Sequence, residues 1–421
     1  MIRSDMGMAR AVTALAAAAL IGACAEDPDI ITSPTPSGGE RFASYVALGN
    51  SITAGYQSGG INDSTQQQSY AKLFAAAAGA AYVYPSLAKP GCPPPVDNFQ
   101  TQTRVGGAAA PPCALRTSGS GAVALNNVAV PGATAVDLLA TTSASSNALT
   151  TFILGGRSQV ERALMAGPTF VSVWMGNNDV LAAGVSGILV PLAGVSPGLT
   201  PAADFTASYD AGIDSLVRGA PGLEGVLIGV VNVTNAPVLF PVQALFNPAF
   251  KAGFDAFTGA TSPADATVIH PSCTPTTTAL ISFQIVSQIR LYRANPATGH
   301  PPVIACAPGA VPGTPVGDIF VLDAAEIATV TTTVAAYNAG IQAKAAALGF
   351  AYYDPNPTLL AARADPTQIS TVPNLASATA PFGTWMSLDG AHPRLPAHQA
   401  VANGIITAVN ATYGTTIPAI P

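Results

Sequence analysis

The chain has 421 residues, room for one large domain or two smaller ones, and 49% of them are apolar, so a sizeable core is available. Charged residues make up only 9%, far below the roughly 25% of an ordinary soluble domain, so Ser, Thr, Asn, Gln and small apolar residues must cover the surface. The formal net charge of −6, the absence of a basic stripe and the abundant aliphatics speak against a nucleic-acid partner and against disorder throughout.

In chain order, the first residues read as an address. Arg3 and Arg10 precede an uninterrupted small or apolar run, Ala11 to Ala23, too short to span a bilayer but suited to the core of a signal peptide. The run ends Leu20-Ile21-Gly22-Ala23-Cys24, which resembles a bacterial lipobox. That likeness makes residues 1–24 a lipoprotein signal peptide, with Cys24 the lipidated first residue of an exported protein anchored to a membrane. Ala25 rather than Asp after the Cys favours the outer membrane or cell surface. Residues 25–40 are rich in Pro, Ser and Gly, bury little and read as a flexible tether.

Beyond the tether, apolar runs bounded by turn residues predict strands buried on both faces: Tyr45 to Leu48, Ala122 to Val130, Thr169 to Met175, Gly225 to Val233 and Phe350 to Tyr353. Helical patterns lie between them. The clearest runs from Ala324 to Leu348, with Asp323 and Glu326 as a capping box, apolar residues at helical spacing and Gly349 placed to end it. Strands alternating with helices imply a three-layer α/β fold with a mainly parallel sheet. Two apolar stretches interrupt the rhythm, 180–195 and 235–250; they suit either the walls of an acyl pocket or core segments. Residues 251–320 read as a long, loop-rich Pro/Thr insertion.

Four cysteines follow the leader: Cys92, Cys113, Cys273 and Cys306. An even count in an exported chain favours disulfides, and loop closure favours the near-neighbour pairs among the three possible pairings. No Cys-x-x-Cys and no suitably spaced His supports a zinc site, and no cofactor is called for.

Four short motifs carry reactive groups. Gly49-Asn50-Ser51 follows the first strand directly, so Ser51 stands where ligands of open α/β sheets bind, although a serine there can also serve merely as a helix cap. Asp389-Gly390-Ala391-His392 puts a carboxylate three residues before an imidazole within a Gly/Pro turn. Asp389 can then accept a hydrogen bond from Nδ1–H and leave Nε2 as a general base. Gly176-Asn177-Asn178-Asp179 places an amide donor at a strand end, where Asn and Asp are also ordinary caps. In Asn127 to Thr134, Gly132 permits close approach of its backbone N–H.

Taken together and in this order, these pieces resemble the blocks of the SGNH hydrolase superfamily, the GDSL-like lipases and esterases, from roughly Phe42 to the C-terminus. The resemblance implies an α/β/α sandwich with a mainly parallel, five-stranded, flavodoxin-like sheet, as one domain over 41–421 with an insertion at about 235–320. It assigns Ser51 as nucleophile, His392 as base, Asp389 as its partner, and the N–H groups of Ser51 and Gly132 with the Asn178 side chain as oxyanion donors. Asn50 departs from the family's usual Asp, which changes the local charge but not the nucleophile. The expected activity is ester hydrolysis through an acyl-serine, on a small-molecule or lipid ester. A carbohydrate O-acetyl esterase and a catalytically silent surface lipoprotein are the rival readings. His398 is expected on a helix without a role, and His270 and His300 are expected to be solvated in the insertion.

Overall fold

The computed structural model describes residues 39–107, 124–140, 148–307 and 319–421. The leader with Cys24, the tether up to residue 38, and Cys113 lie outside them.

Four parallel strands form the central sheet: β1 (Tyr45–Gly49), β2 (Phe170–Trp174), β3 (Glu224–Ile228) and, after the insertion, Ala351–Tyr353. Their order is β1, β2, β3, Ala351–Tyr353. Because successive side chains point to opposite faces, each strand serves two cores. Val46, Leu48, Val171, Val173 and Leu227 enter one apolar cluster, while Tyr45, Ala47, Phe170, Trp174, Val226 and Ile228 enter the other. Both faces being buried explains why the strands read as continuous apolar runs.

Helices cover each face. In chain order they include α1 (Ser51–Ala54), α2 (Tyr70–Ala77), α3 (Gln159–Leu164), α4 (Asn177–Ser186) and α5 (Ala202–Gly219). Later come α6 (Pro248–Phe257), α7 (Ile285–Ala294), α8 (Ala324–Leu348) and α9 (Leu395–Tyr413). Helices α2 and α9 close the face that holds Tyr45 and Trp174, and α5 and α8 close the other, giving three layers. Helix α8 occupies the span its pattern predicts, with the Asp323/Glu326 capping box formed and Gly349 in the left-handed conformation at its end.

The expected fifth strand differs. Residues 126–130 run beside β1, with Ala47 N–H donating to Asn126 and Val128 and Val130 N–H donating to Ala47 and Gly49, yet only Asn127 forms a regular bridge. The Asn127 side chain accepts from Ala129 N–H two residues on and donates to the Thr53 carbonyl, so side-chain bonds hold this edge alongside the ladder. The sheet is therefore four regular strands with an irregular fifth on the β1 edge.

The stretch between β3 and α8 is more ordered than its composition predicts. Leu239–Pro241, Leu280–Ser282 and Val321–Leu322 make a small antiparallel sheet. Helices α6 and α7 pack on it around Phe240, Leu245, Phe254, Ile281 and Ile289. Cys273 and Cys306 are disulfide-bonded across this unit, as the near-neighbour pairing expects. Cys92 is also in a disulfide.

Candidate active site

Chain direction sets where the site lies. Parallel strands all end on one edge of the sheet, and Ser51, Asn177 and Val230 each follow a strand there. Residue Asn50 caps α1 through its side chain, which accepts from Ile52 N–H, so Asn performs the turn-forming role expected of Asp. The buried Gln159 amide pairs with both the N–H and the carbonyl of Gly49, which anchors the end of β1 just before the serine.

The structure brings the first three expected residues into one relay. Ser51 Oγ lies 2.9 Å from His392 Nε2, and His392 Nδ1 lies 2.9 Å from Asp389 Oδ2. Residues 386–393 form a closed loop: Met386 bridges Pro393, and Ser387 N–H donates to the His392 carbonyl. Gly390 turns it at φ 69°, and a Cβ there would come within 3.0 Å of Phe382 and of Val238 N.

Five donors hold the Asp389 carboxylate. Ser387 Oγ and the N–H groups of Ala391 and His392 give to Oδ1; His392 Nδ1 and the Gly59 N–H give to Oδ2. Burial alone raises its pKa, but the neighbouring His392 charge and these hydrogen bonds outweigh burial and hold the carboxyl well below the usual carboxylate range. The turn around Ser58 completes the clamp: Ser58 N–H donates to Ser387 Oγ, and Ser58 Oγ accepts from Leu388 N–H. Nothing in the sequence spacing pointed to Ser58, Gly59 or Ser387, which meet Asp389 only through the fold. The ring of Tyr56 lies 5.0 Å from that of His392. Burial and the Asp389 charge push the Tyr56 phenol up to about 12.

The expected oxyanion donors are partly gathered. Asn178 sits in the first turn of α4 and lines the same pocket as Ser51 and His392. One of its amide hydrogens goes to the Ala133 carbonyl at 2.7 Å, which fixes the side chain and leaves the second hydrogen to a ligand. Gly176 starts α4 at φ 106°, where a Cβ would strike Val230 and Phe205. Gly132, at φ 87°, precedes Ala133 directly but borders, together with Asn178, a neighbouring cavity rather than the Ser51 pocket itself. Asp179 ties α4 to this turn by accepting from Ala135 N–H at 3.0 Å, and burial pushes its carboxyl up to about 6.

The pocket is apolar. Trp174, Leu181, Val231, Val233, Leu359, Ile369, Trp385 and Met386 line it beside the reactive groups. The two stretches suspected from sequence contribute only Leu181 and Ala236. The rest of 235–250 is largely core, as Val238, Leu239, Phe240 and Leu245 are buried, while Val190 and Val195 face outward. For 235–250 the core alternative therefore holds, and composition could not separate the two because core and pocket walls are equally apolar.

Of the other histidines, His398 is on α9, fully buried, and accepts from Tyr70 N–H through Nδ1; burial pushes it down to about 3, so it stays neutral. His300 corrects its expectation: it is buried against Phe320, with Nδ1 on the Pro301 carbonyl. His270 is half-buried and bonded to Ser272.

Among solved structures, an extracellular lipase from Streptomyces rimosus is similar at 15% identity and a TM-score of 0.33, over 87% of this chain and 98% of that one. An acetylxylan esterase from Geobacillus stearothermophilus is similar at 11% identity and a TM-score of 0.35, over 90% and 96%. A phospholipase A1 from Streptomyces albidoflavus is similar at 15% and 0.33, over 87% and 98%. No curated protein sequence matches. The family model for GDSL-like lipase/acylhydrolases matches residues 45–271, a span that holds Ser51, Gly132 and Asn178. By that match over more than half its length, the chain belongs to the GDSL-like lipase/acylhydrolase family.

Proposed function

We propose that this lipase/esterase-family protein hydrolyses carboxylic esters through an acyl-serine intermediate, with Ser51 as nucleophile, His392 as general base and Asp389 orienting it. The observation that carries this reading is the unbroken relay from Ser51 Oγ through His392 to Asp389, opening on an apolar pocket. With Nδ1–H held by Asp389, Nε2 accepts the serine proton as Oγ attacks the ester carbonyl. The tetrahedral oxyanion is met by the Asn178 amide and the Ser51 N–H, and the Gly132 N–H is the third donor of this proposal. His392 then returns the proton to the departing alcohol, and water repeats the sequence on the acyl-enzyme.

The pocket supports an aliphatic acyl group over a sugar-borne acetyl. Its volume of about 100 Å³ is somewhat below the ~150 Å³ of an engineered apolar cavity that admits benzene, which suits chains of roughly four to six carbons within the walls. On a series of 4-nitrophenyl esters, kcat/KM should rise from acetate to butyrate or hexanoate and then level off. A strict acetate preference would favour the carbohydrate reading instead.

Export and a lipid anchor on Cys24 belong to the same proposal, resting on the leader sequence alone. An anchor there would hold the hydrolase at a membrane surface, joined by the tether.

The direct test is Ser51→Ala on 4-nitrophenyl butyrate. Turnover should fall by about 10⁴-fold or more with an unchanged melting temperature. Wild-type rates in the variant would reject the nucleophile.

A further inference from the structure

We propose that Arg104 and Arg290 form a binding site for an anionic group carried on the alcohol half of the ester, a phosphate or a carboxylate. This rests on the hydrolase reading above, since it names what stands on the leaving-group side of His392.

A second cleft, of about 380 Å³, meets the acyl pocket only at Leu181, Ala391 and His392, so the imidazole forms part of the boundary between them. That volume lies within the range of small-molecule sites. The cleft also holds Tyr56, Gly59 and Asp389 on the sheet side and Phe257, Phe283 and Arg290 on the insertion side. In ester hydrolysis the departing oxygen must sit where His392 can protonate it. The apolar pocket claims the acyl chain, so the alcohol is directed into this cleft.

Two guanidinium groups line it, and among the described residues neither has a carboxylate within salt-bridge distance. Arg104 comes from the short hairpin of Val96–Asn98 and Thr103–Arg104. Its Nη1 donates to the carbonyls of Gly59 and Pro94, leaving Nη2 without an acceptor among the described residues. Arg290 projects from α7; its Nε donates to the Phe257 carbonyl and its guanidinium lies 4.5 Å from the centre of the Phe257 ring. Backbone carbonyls and an aromatic face thus hold both forks in place without neutralising them. Holding two cations half out of water with no counter-charge is costly unless a ligand supplies one.

The one carboxylate in the cleft, Asp389, does not fill that role. Its oxygens are taken by five donors, none of them a guanidinium. Two guanidinium groups against the one Asp389 carboxylate leave a surplus of one positive charge in the cleft, in a chain of formal net charge −6. Planar guanidinium forks favour phosphate and carboxylate oxygens through paired hydrogen bonds.

The test compares butyrate esters that share one acyl group: monobutyryl glycerol, 1-butyryl-glycerol-3-phosphate and O-butyryl glycolate, with butyrate release as the readout. We expect kcat/KM for the phosphate ester, the glycolate ester or both to exceed that for the neutral glycerol ester about tenfold or more at low salt. Which arm is raised identifies the anion. The advantage should shrink as NaCl rises from 0.02 to 0.5 M. Arg290→Gln should cut the anionic-to-neutral ratio about tenfold, chiefly through KM for the anionic ester, and Arg290→Lys should restore part of it. Turnover of the neutral ester without any anionic preference in the wild type would overturn the site and leave the hydrolase reading intact. If no ester is turned over, the hydrolase reading fails first and the site falls with it. The wild-type ratio and its salt dependence decide the matter even if the Arg290 variants do not fold.

Discussion

The sheet and the insertion are built on opposite terms. In the sheet, order comes from strands of five residues such as β1 and β2, buried on both faces and paired in parallel register over their full length. In the insertion, strands are two or three residues long, and order comes from a compact cluster around Phe240, Phe254 and Ile289 with the Cys273–Cys306 bond across it. The division matches the work each does. The sheet edge places Ser51 and Asn178 at the apolar pocket, whereas the insertion brings Phe257, Phe283 and Arg290 to the cleft beside His392. On the proposed reading, chemistry rests on the sheet-borne half and selectivity on the stapled half.

That contrast can be broken by experiment. Within the sheet-borne half, Asn178→Ala should lower kcat by about 100- to 1000-fold with little change in KM, because the lost donor acts on charge that develops only in the transition state. A change confined to KM would move Asn178 from oxyanion stabilisation to substrate binding. In the stapled half, Cys273→Ser with Cys306→Ser should cost about 3 to 4 kcal/mol, from a bond closing 33 residues of chain. Measured by denaturant unfolding, that loss should be confined to an early transition of the insertion; a single transition shifted as a whole would mean the two halves unfold together.

The smallest effect concerns pH. Asp179 titrates at about 6 in the fold against an ordinary value of 3.8, because burial disfavours its charge. A raised carboxyl favours the folded state at low pH: this contribution is full below about pH 4 and is lost as pH rises through about 6. Asp179→Asn keeps an acceptor for Ala135 N–H but cannot ionise. Its melting temperature relative to wild type should therefore rise by a few degrees between pH 4 and pH 7. Parallel pH curves for the two proteins would show that Asp179 does not titrate in this range.

Much of the site was legible because its parts are local. Asn50-Ser51, Asn178 and the Asp389–His392 pair each lie in one short segment after a strand or in a turn, and the period of α8 with its two caps marked that helix to the residue. What escaped the sequence is what only folding joins. Ser58 and Gly59 clamp Asp389 across more than 300 residues of chain, and Trp174, Leu359 and Trp385 converge on the pocket from three separate elements. The order of the insertion escaped for the same reason: two- and three-residue strands leave no periodicity, and its core is assembled from residues spread between 240 and 321. The fifth strand was overstated because an apolar run does not show how regularly its backbone pairs: residues 126–130 bond to β1 yet form one isolated bridge with it.

The central claim is that Ser51 is a nucleophile activated by His392. Incubating the protein with a fluorophosphonate and identifying the modified peptide measures this most directly. The account predicts one covalent adduct, on Ser51, forming far more slowly in His392→Ala; an unlabelled protein, or an adduct on any other residue, would contradict it.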